Sequence, residues 1–191
     1  MLKRIEAVRK EAKENDLFIV FFAGHGVKDK EQFYLLTTEA QVGDLGKTAL
    51  AGDELRRSLG EFPCQVLLLL DACHSVGALK NFRPAVDEAT RTLTDDECGV
   101  AVLCSAMAQE RALEQQGNGL FTRALVQALS HAEGVPYNRH DRRLYVHHLV
   151  TYVFDEVKEL SGDRQHPFLS LPWVVESFPV AQFAVQPAGQ R

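Results

Sequence analysis

Residues 66–79 read VLLLLDACHSVGAL, and this stretch decides the fold. Its first five residues are an unbroken aliphatic run, which predicts a strand buried on both faces of a sheet. The next residues, Asp71 to Ser75, bring a carboxylate, a thiol, an imidazole and a hydroxyl to the end of that strand. In parallel sheets, reactive groups gather beyond the carboxyl ends of the strands, so we expect a functional site here.

The same pattern recurs on both sides of this stretch. Leu17–Ala23 (LFIVFFA), which ends at Gly24-His25-Gly26, and 99–105 (GVAVLCS) are predicted as buried strands, and shorter strands are predicted at 33–37 and around Trp173–Val175. Because helices alternate with these strands, the sequence predicts an α/β fold with a mostly parallel sheet. Asn118 is the predicted N-cap of the third helix. The predicted helices span residues 2–14, 52–62, 118–129 and 144–160.

Length and composition indicate one globular domain over residues 1–191. The chain is 46% hydrophobic and 25% charged, as soluble domains are. Its net charge of −5 argues against nucleic acid or an anionic membrane surface as a partner. No apolar run reaches membrane-spanning length, and the charged first residues lack the apolar core of a signal peptide. These features predict a cytoplasmic protein.

A cysteine and a histidine follow two of the predicted buried strands. Cys73 comes after 66–70, and His25 comes after Leu17–Ala23, so both are expected at the same sheet edge although 48 positions separate them. A thiol becomes a strong nucleophile when it is deprotonated, and an imidazole supplies that function. The backbone amides of Gly26 and Cys73 are the expected donors to a developing oxyanion. The other cysteines form no C-x-x-C pair and are predicted to be packing residues: Cys64, Cys98 and Cys104.

Together, LFIVFFAGHG (17–26) and VLLLLDACHSVG (66–77) resemble the two signature strands of caspase-like cysteine peptidases. The D-x-C-H-S form is similar to metacaspases and their bacterial relatives, and caspases also carry their histidine about 50 residues before the cysteine. The resemblance implies a caspase-like three-layer α/β/α sandwich and a cysteine endopeptidase with Cys73 as nucleophile and His25 as general base and acid. Further similarity lies in AVLCSA (101–106), GLFTRAL (119–125), QHP (165–167) and FPVA (178–181).

The resemblance also implies a substrate preference. Asp71 matches the metacaspase carboxylate at the floor of the primary specificity pocket, which implies cleavage after Arg or Lys. A carboxylate in a narrow apolar pocket suits a cationic side chain. A second acidic pocket position of metacaspases aligns with Gln109, for which Glu110 or Glu114 is the expected replacement. Some metacaspases need calcium, but the sequence has no EF-hand spacing, so no cofactor is predicted.

Three features depart from the family pattern or lie outside it. Val76 stands where the family has glycine, with Gly77 following. The chain begins at about the helix that precedes the histidine strand, which predicts an N-terminally incomplete domain whose strand Leu17–Ala23 lies at a sheet edge and is prone to pair with another chain. The polar segment 80–97 is predicted to be a loop between the large and small parts of the domain, and a site of self-processing.

Three functions remain open at this point. The first is a peptidase that acts on protein or peptide substrates, with self-processing or self-association as a further partnership. The second is a catalytically inactive caspase-like binding or scaffold module, or a fragment of one, which Val76 and the incomplete front favour. The third is a thiol hydrolase that acts on small molecules.

Overall fold

The computed structural model describes residues 1–29, 32–72, 100–106, 112–115, 117–171 and 176–184. Its strands are β1 (Leu17–Asp29), β2 (Gln32–Leu36), β3 (Leu50–Ala51), β4 (Gln65–Ala72), β5 (Val100–Cys104), β6 (Glu114–Gln115), β7 (Asn118–Gly119), β8 (Arg143–Tyr145), β9 (Phe168–Ser170) and β10 (Pro179–Gln182). Its helices are α1 (Leu2–Glu11), α2 (Leu45–Thr48), α3 (Gly52–Gly60), α4 (Leu120–Leu129) and α5 (Val146–Ser161).

Six strands form the main sheet, in the order β3-β2-β1-β4-β5-β9. The three central strands pair in parallel, whereas β2, β3 and β9 pair antiparallel to their neighbours. The predicted α/β class is correct, but the sheet is mixed and is parallel only at its centre. The reason is that β2 follows β1 after two residues, and a parallel connection needs a dozen or more. Two short pairs, β8 with β10 and β6 with β7, lie outside the main sheet.

The side chains of β4 alternate between two cores, one on each face of the sheet. Leu68 and its even-numbered neighbours pack with α1 and α3. Leu67 and Leu69 pack on the opposite face with α4 and α5. Both faces of β4 are therefore buried, as its aliphatic run predicted, and the predicted three-layer α/β/α arrangement is confirmed.

Helix α4 buries the face that its sequence predicts, while two helix starts differ from the prediction. The N-cap of α4 is Gly119, because Asn118 lies in β7, where it pairs with Gln115. Helix α5 begins at Val146, because Leu144 belongs to β8 and pairs with β10. The buried residues of α4 are Leu120, Phe121, Ala124, Leu125 and Ala128.

The sequence predicted that strand β1 ends at Gly24-His25-Gly26. In the structure it continues through His25 to Asp29. Residues 17–24 pair in parallel with β4, and residues 25–29 pair antiparallel with β2. The glycine at 24 therefore allows a change of partner strand within extended backbone rather than a sharp turn.

The first half of β1 is a sheet edge within the described part of the chain. Residues 17–24 pair with β4 on one side, and no described strand pairs with them on the other. On the face that looks toward the α4 layer, Ile19 is 39% exposed and Phe21 is 46% exposed. Exposed apolar side chains on an open strand edge favour association with another chain.

Among the described residues, no helix is both long enough and apolar enough to cross a membrane. The predicted loop at 80–97 and the predicted strand at Trp173–Val175 lie outside the described residues. An N-terminally incomplete domain and a cytoplasmic location stay predictions.

We expect a lysine at Ile19 or Phe21 to reduce concentration-dependent self-association, because an inserted charge opposes pairing at an open edge. The free energy of unfolding should change by no more than about 0.5 kcal/mol, since both side chains are partly exposed. Light scattering over a concentration series would measure association, with Val126→Lys as the control because Val126 is 58% exposed and lies on α4 rather than on a strand. Equal effects of all three variants would contradict a role for the edge.

Candidate active site

The register of β1 against β4 brings the two sequence motifs together. Ala23 lies opposite Asp71, and Gly24 lies opposite Ala72. These positions immediately precede His25 and Cys73 in the sequence. The β1–β4 pairing therefore ends with the two motifs side by side at one edge of the sheet. Cys73 itself lies outside the described residues.

A cleft of about 310 Å³ opens at this edge. Its walls come from β1, the end of β4, the β6–β7 hairpin and the first turn of α4. The cleft brings together three residues that the sequence predicted for the site, His25, Asp71 and Glu114. The side chains of His25 and Glu114 are exposed, whereas Asp71 is 3% exposed.

The first turn of α4 holds the Asp71 carboxylate. The Thr122 hydroxyl donates a hydrogen bond to Oδ2 of Asp71. Oδ1 is buried and makes no hydrogen bond of normal geometry with any described residue. A buried acceptor without a partner costs about 1–3 kcal/mol, so a donor that reached this oxygen would stabilise the folded protein.

Burial raises the pKa of the Asp71 carboxyl above its ordinary value, because burial disfavours the charged form. The hydroxyl and the backbone amide of Thr122 lower this pKa, as does the nearby hydroxyl of Ser105. The negative charge of Glu114 raises it further. A cation in the cleft would therefore relieve both the burial cost and the repulsion between the two carboxylates.

A buried glutamine ties the walls of the cleft to the sheet. Gln165 is fully buried, and its Nε2 donates to the carbonyl oxygen of Ser105 at 2.7 Å. Its Oε1 accepts from the backbone amide of Leu113 at 2.7 Å, and the carbonyl of Leu113 accepts from the amide of Leu120 at 2.9 Å. The side chain thus fixes the end of β5 to the start of the β6–β7 hairpin, which carries Glu114.

The other predicted site residues have different outcomes. Gly26 is buried in β1 opposite Leu35, and its role as an oxyanion donor stays a prediction. Several residues of the sequence argument lie outside the described part of the chain, among them Cys73, Val76, Gly77, Cys98, Gln109 and Glu110.

Two further cysteines are packing residues, as predicted. Cys104 is buried in the α1–α3 core, and burial raises the pKa of its thiol to about 12, which makes it a poor nucleophile at neutral pH. Cys64 is half-buried against the same core.

Sequence reasoning missed three residues that shape the cleft, Thr122, Gly119 and Gln165. Thr122 lies 51 positions from Asp71, and its hydroxyl donates from the helix layer to that residue in the sheet. The motifs GLFTRAL and QHP contain all three, but a sequence does not reveal which distant atom each side chain contacts. The one available signal was Gly119, which directly precedes α4 and has no side chain to cap it.

The chain was compared with protein-family models, solved structures and curated proteins, and the first two gave matches. A family model for the caspase domain matches residues 1–177. Solved structures that match include the crystal structure of protein GSU0716 from Geobacter sulfurreducens, at 20% identity and a TM-score of 0.49, which covers 87% of this chain and 71% of that chain. No curated protein matches the chain significantly.

Replacing Asp71 with asparagine should change how stability depends on pH. Because the native pKa is raised, the folded protein binds more protons than the unfolded chain, so wild-type stability falls as pH rises from the ordinary aspartate pKa of 3.8 through the raised value. The asparagine side chain does not titrate, so the variant lacks this loss. The unfolding temperature of the variant relative to wild type should therefore increase as the pH rises above about 4, as measured by scanning calorimetry.

The control for this measurement is Asp155→Asn, since Asp155 is exposed on α5. A difference between Asp71→Asn and wild type that stays constant or shrinks with rising pH would contradict the raised pKa.

Proposed function

The chain belongs to the caspase family of cysteine peptidases, and we propose that it is an endopeptidase that cleaves after Arg or Lys through Cys73 and His25. The observation that carries the proposal is the buried Asp71 carboxylate in the same cleft as His25. The motif that contains Cys73 continues directly from the strand that ends beside this cleft.

The proposed reaction proceeds in two steps. His25 removes the proton from Cys73, whose sulfur attacks the substrate carbonyl and forms a tetrahedral intermediate. The amides of Gly26 and Cys73 stabilise its oxyanion, and His25 returns the proton to the leaving amine. Water, activated by His25, then hydrolyses the acyl-enzyme. The exposure of His25 within the cleft supports this role, because substrate can reach it.

The preference for a basic residue rests on the charge of the cleft. Oδ1 of Asp71 is buried and makes no hydrogen bond of normal geometry with any described residue, and Glu114 lines the same cleft. A guanidinium offers a pair of donors to a carboxylate and stays charged at every relevant pH, which makes Arg the better fit of the two cations. An acidic substrate side chain would place a further carboxyl group beside those of Asp71 and Glu114.

An inactive binding module is the second candidate, and one observation favours it. The open edge of β1 exposes Ile19 and Phe21, which suits association with another chain rather than catalysis. Catalysis and association can also coexist, since the cleft is lined by β1 from Ala23 onward and Ile19 and Phe21 are not among its lining residues.

Fluorogenic peptides that end in Arg, Lys or Asp test the proposed reaction directly. We expect turnover of the Arg and Lys peptides, and its loss in Cys73→Ala and His25→Ala, because these variants remove the nucleophile and the base. The comparison should be made with and without calcium, and Cys104→Ala is the matched control because Cys104 is a core thiol. Absence of turnover in every condition would contradict the proposed activity and favour the binding module.

The charge of Asp71 should decide which peptide is cleaved. Asp71→Asn should lower kcat/KM for the Arg peptide by roughly 200- to 5,000-fold, since removing one partner of a buried ion pair costs about 3–5 kcal/mol. The effect on a peptide with a neutral residue at that position should be much smaller. Equal losses for both peptides would contradict a role in selecting the cation.

A further inference from the structure

Helix α4 begins without a capping side chain of its own. Its N-cap is Gly119, and no side chain of the segment itself accepts from the first amides of the helix. These amides need acceptors, and the helix start carries a partial positive charge. The Asp71 carboxylate of β4 lies against this helix start, because the Thr122 hydroxyl of the first turn donates to it. Its negative charge is favourable at this end of the helix. The carboxylate and the helix start therefore depend on each other.

Gly119 provides the space in which the carboxylate lies. A Cβ at this position would clash with Oδ2 of Asp71 and would lie 3.2 Å from its Cγ. The backbone of Gly119, at φ −61° and ψ 142°, is a conformation that any residue adopts. The requirement for glycine is thus room for Asp71, and not an unusual turn.

The two contacts make the two carboxylate oxygens of Asp71 different. Thr122 occupies Oδ2, so that Oδ1 remains the acceptor without a partner in the described structure. A carboxylate that rotated freely would present either oxygen and would lose part of its selectivity for a two-donor cation. Orientation of the carboxylate is therefore as important as its charge.

We propose that Thr122 and Gly119 are positioning residues for substrate selection: the Thr122 hydroxyl fixes the Asp71 carboxylate, and the absent side chain of Gly119 leaves the room that this orientation needs. The inference rests on the proposed cleavage after basic residues. It assigns both residues a role through Asp71, without contact to the reacting bond.

Thr122→Val and Thr122→Ser separate the hydroxyl from the shape of the side chain. Thr122→Val should raise KM for the Arg peptide about 10- to 100-fold with a smaller change in kcat, because a hydrogen bond to a charged group is lost. The acid limb of kcat/KM against pH should move to higher pH, since the hydroxyl lowers the pKa of Asp71. Thr122→Ser keeps the hydroxyl and should restore most of both properties.

Two further variants complete the test. Gly119→Ala should also raise KM for the Arg peptide, because its Cβ displaces the carboxylate. The matched control is Thr151→Val, since the exposed hydroxyl of Thr151 donates to a backbone carbonyl on α5, far from Asp71 in sequence. An unchanged KM and an unmoved acid limb in Thr122→Val would overturn the proposal.

A measurement without turnover separates this proposal from the proposed function. The carbon-13 resonance of the Asp71 carboxyl, assigned with Asp71→Asn, reports its pKa in Cys73→Ala protein. The proposal predicts a higher Asp71 pKa in Cys73→Ala/Thr122→Val than in Cys73→Ala/Thr122→Ser. Equal values would overturn the positioning role, whereas an inactive wild type with the predicted shift would overturn only the proposed function.

Discussion

The parallel pairing of β1 with β4 is the constraint on which the rest of the structure depends. Its register, from Leu17 opposite Gln65 to Gly24 opposite Ala72, brings both sequence motifs to one edge of the sheet. Because side chains alternate along a strand, the register and the two buried faces also fix the direction of each side chain. Asp71 lies two positions after Leu69, on the face that α4 covers, and thus meets the first turn of that helix.

The burial of the Asp71 carboxylate lowers the stability of the fold, and its proposed function requires that burial. Burial and Glu114 disfavour its charged form, while Thr122 and Ser105 offset part of that cost. A protein selected for stability alone would place an apolar residue here, since replacing a buried charge by a well-packed apolar side chain is often stabilising. An oxygen kept without a partner in the described structure is understandable when a cationic ligand supplies the missing donors.

The sequence predicted the central architecture well because aliphatic runs and helical stripes report burial directly. The three central strands and the inner face of α4 follow from such patterns. The sequence was a poorer guide to the ends of strands and helices, because tertiary contacts determine them. Strand β1 passes through Gly24 because β2 takes over as its partner, and Gly119 replaces Asn118 as the cap of α4 because Asn118 pairs with Gln115 in β7. The candidate site divides in the same way. Residue types at the strand ends, with the family resemblance, were enough to predict His25 and Asp71 for the cleft, and Glu114 was one of two alternatives. The contact of Thr122 with an atom 51 positions away was not predictable.

The central claim is that a nucleophilic Cys73 works beside a pocket that selects a cation. Intact-mass analysis after incubation with peptidyl acyloxymethyl ketones that end in Arg or Asp tests it most directly, with peptide mapping to locate the adduct. The account predicts a single adduct at Cys73 that forms much faster with the Arg reagent. It would be contradicted if Cys73 reacted with a small thiol reagent but not with the Arg reagent, or if the Asp reagent reacted faster.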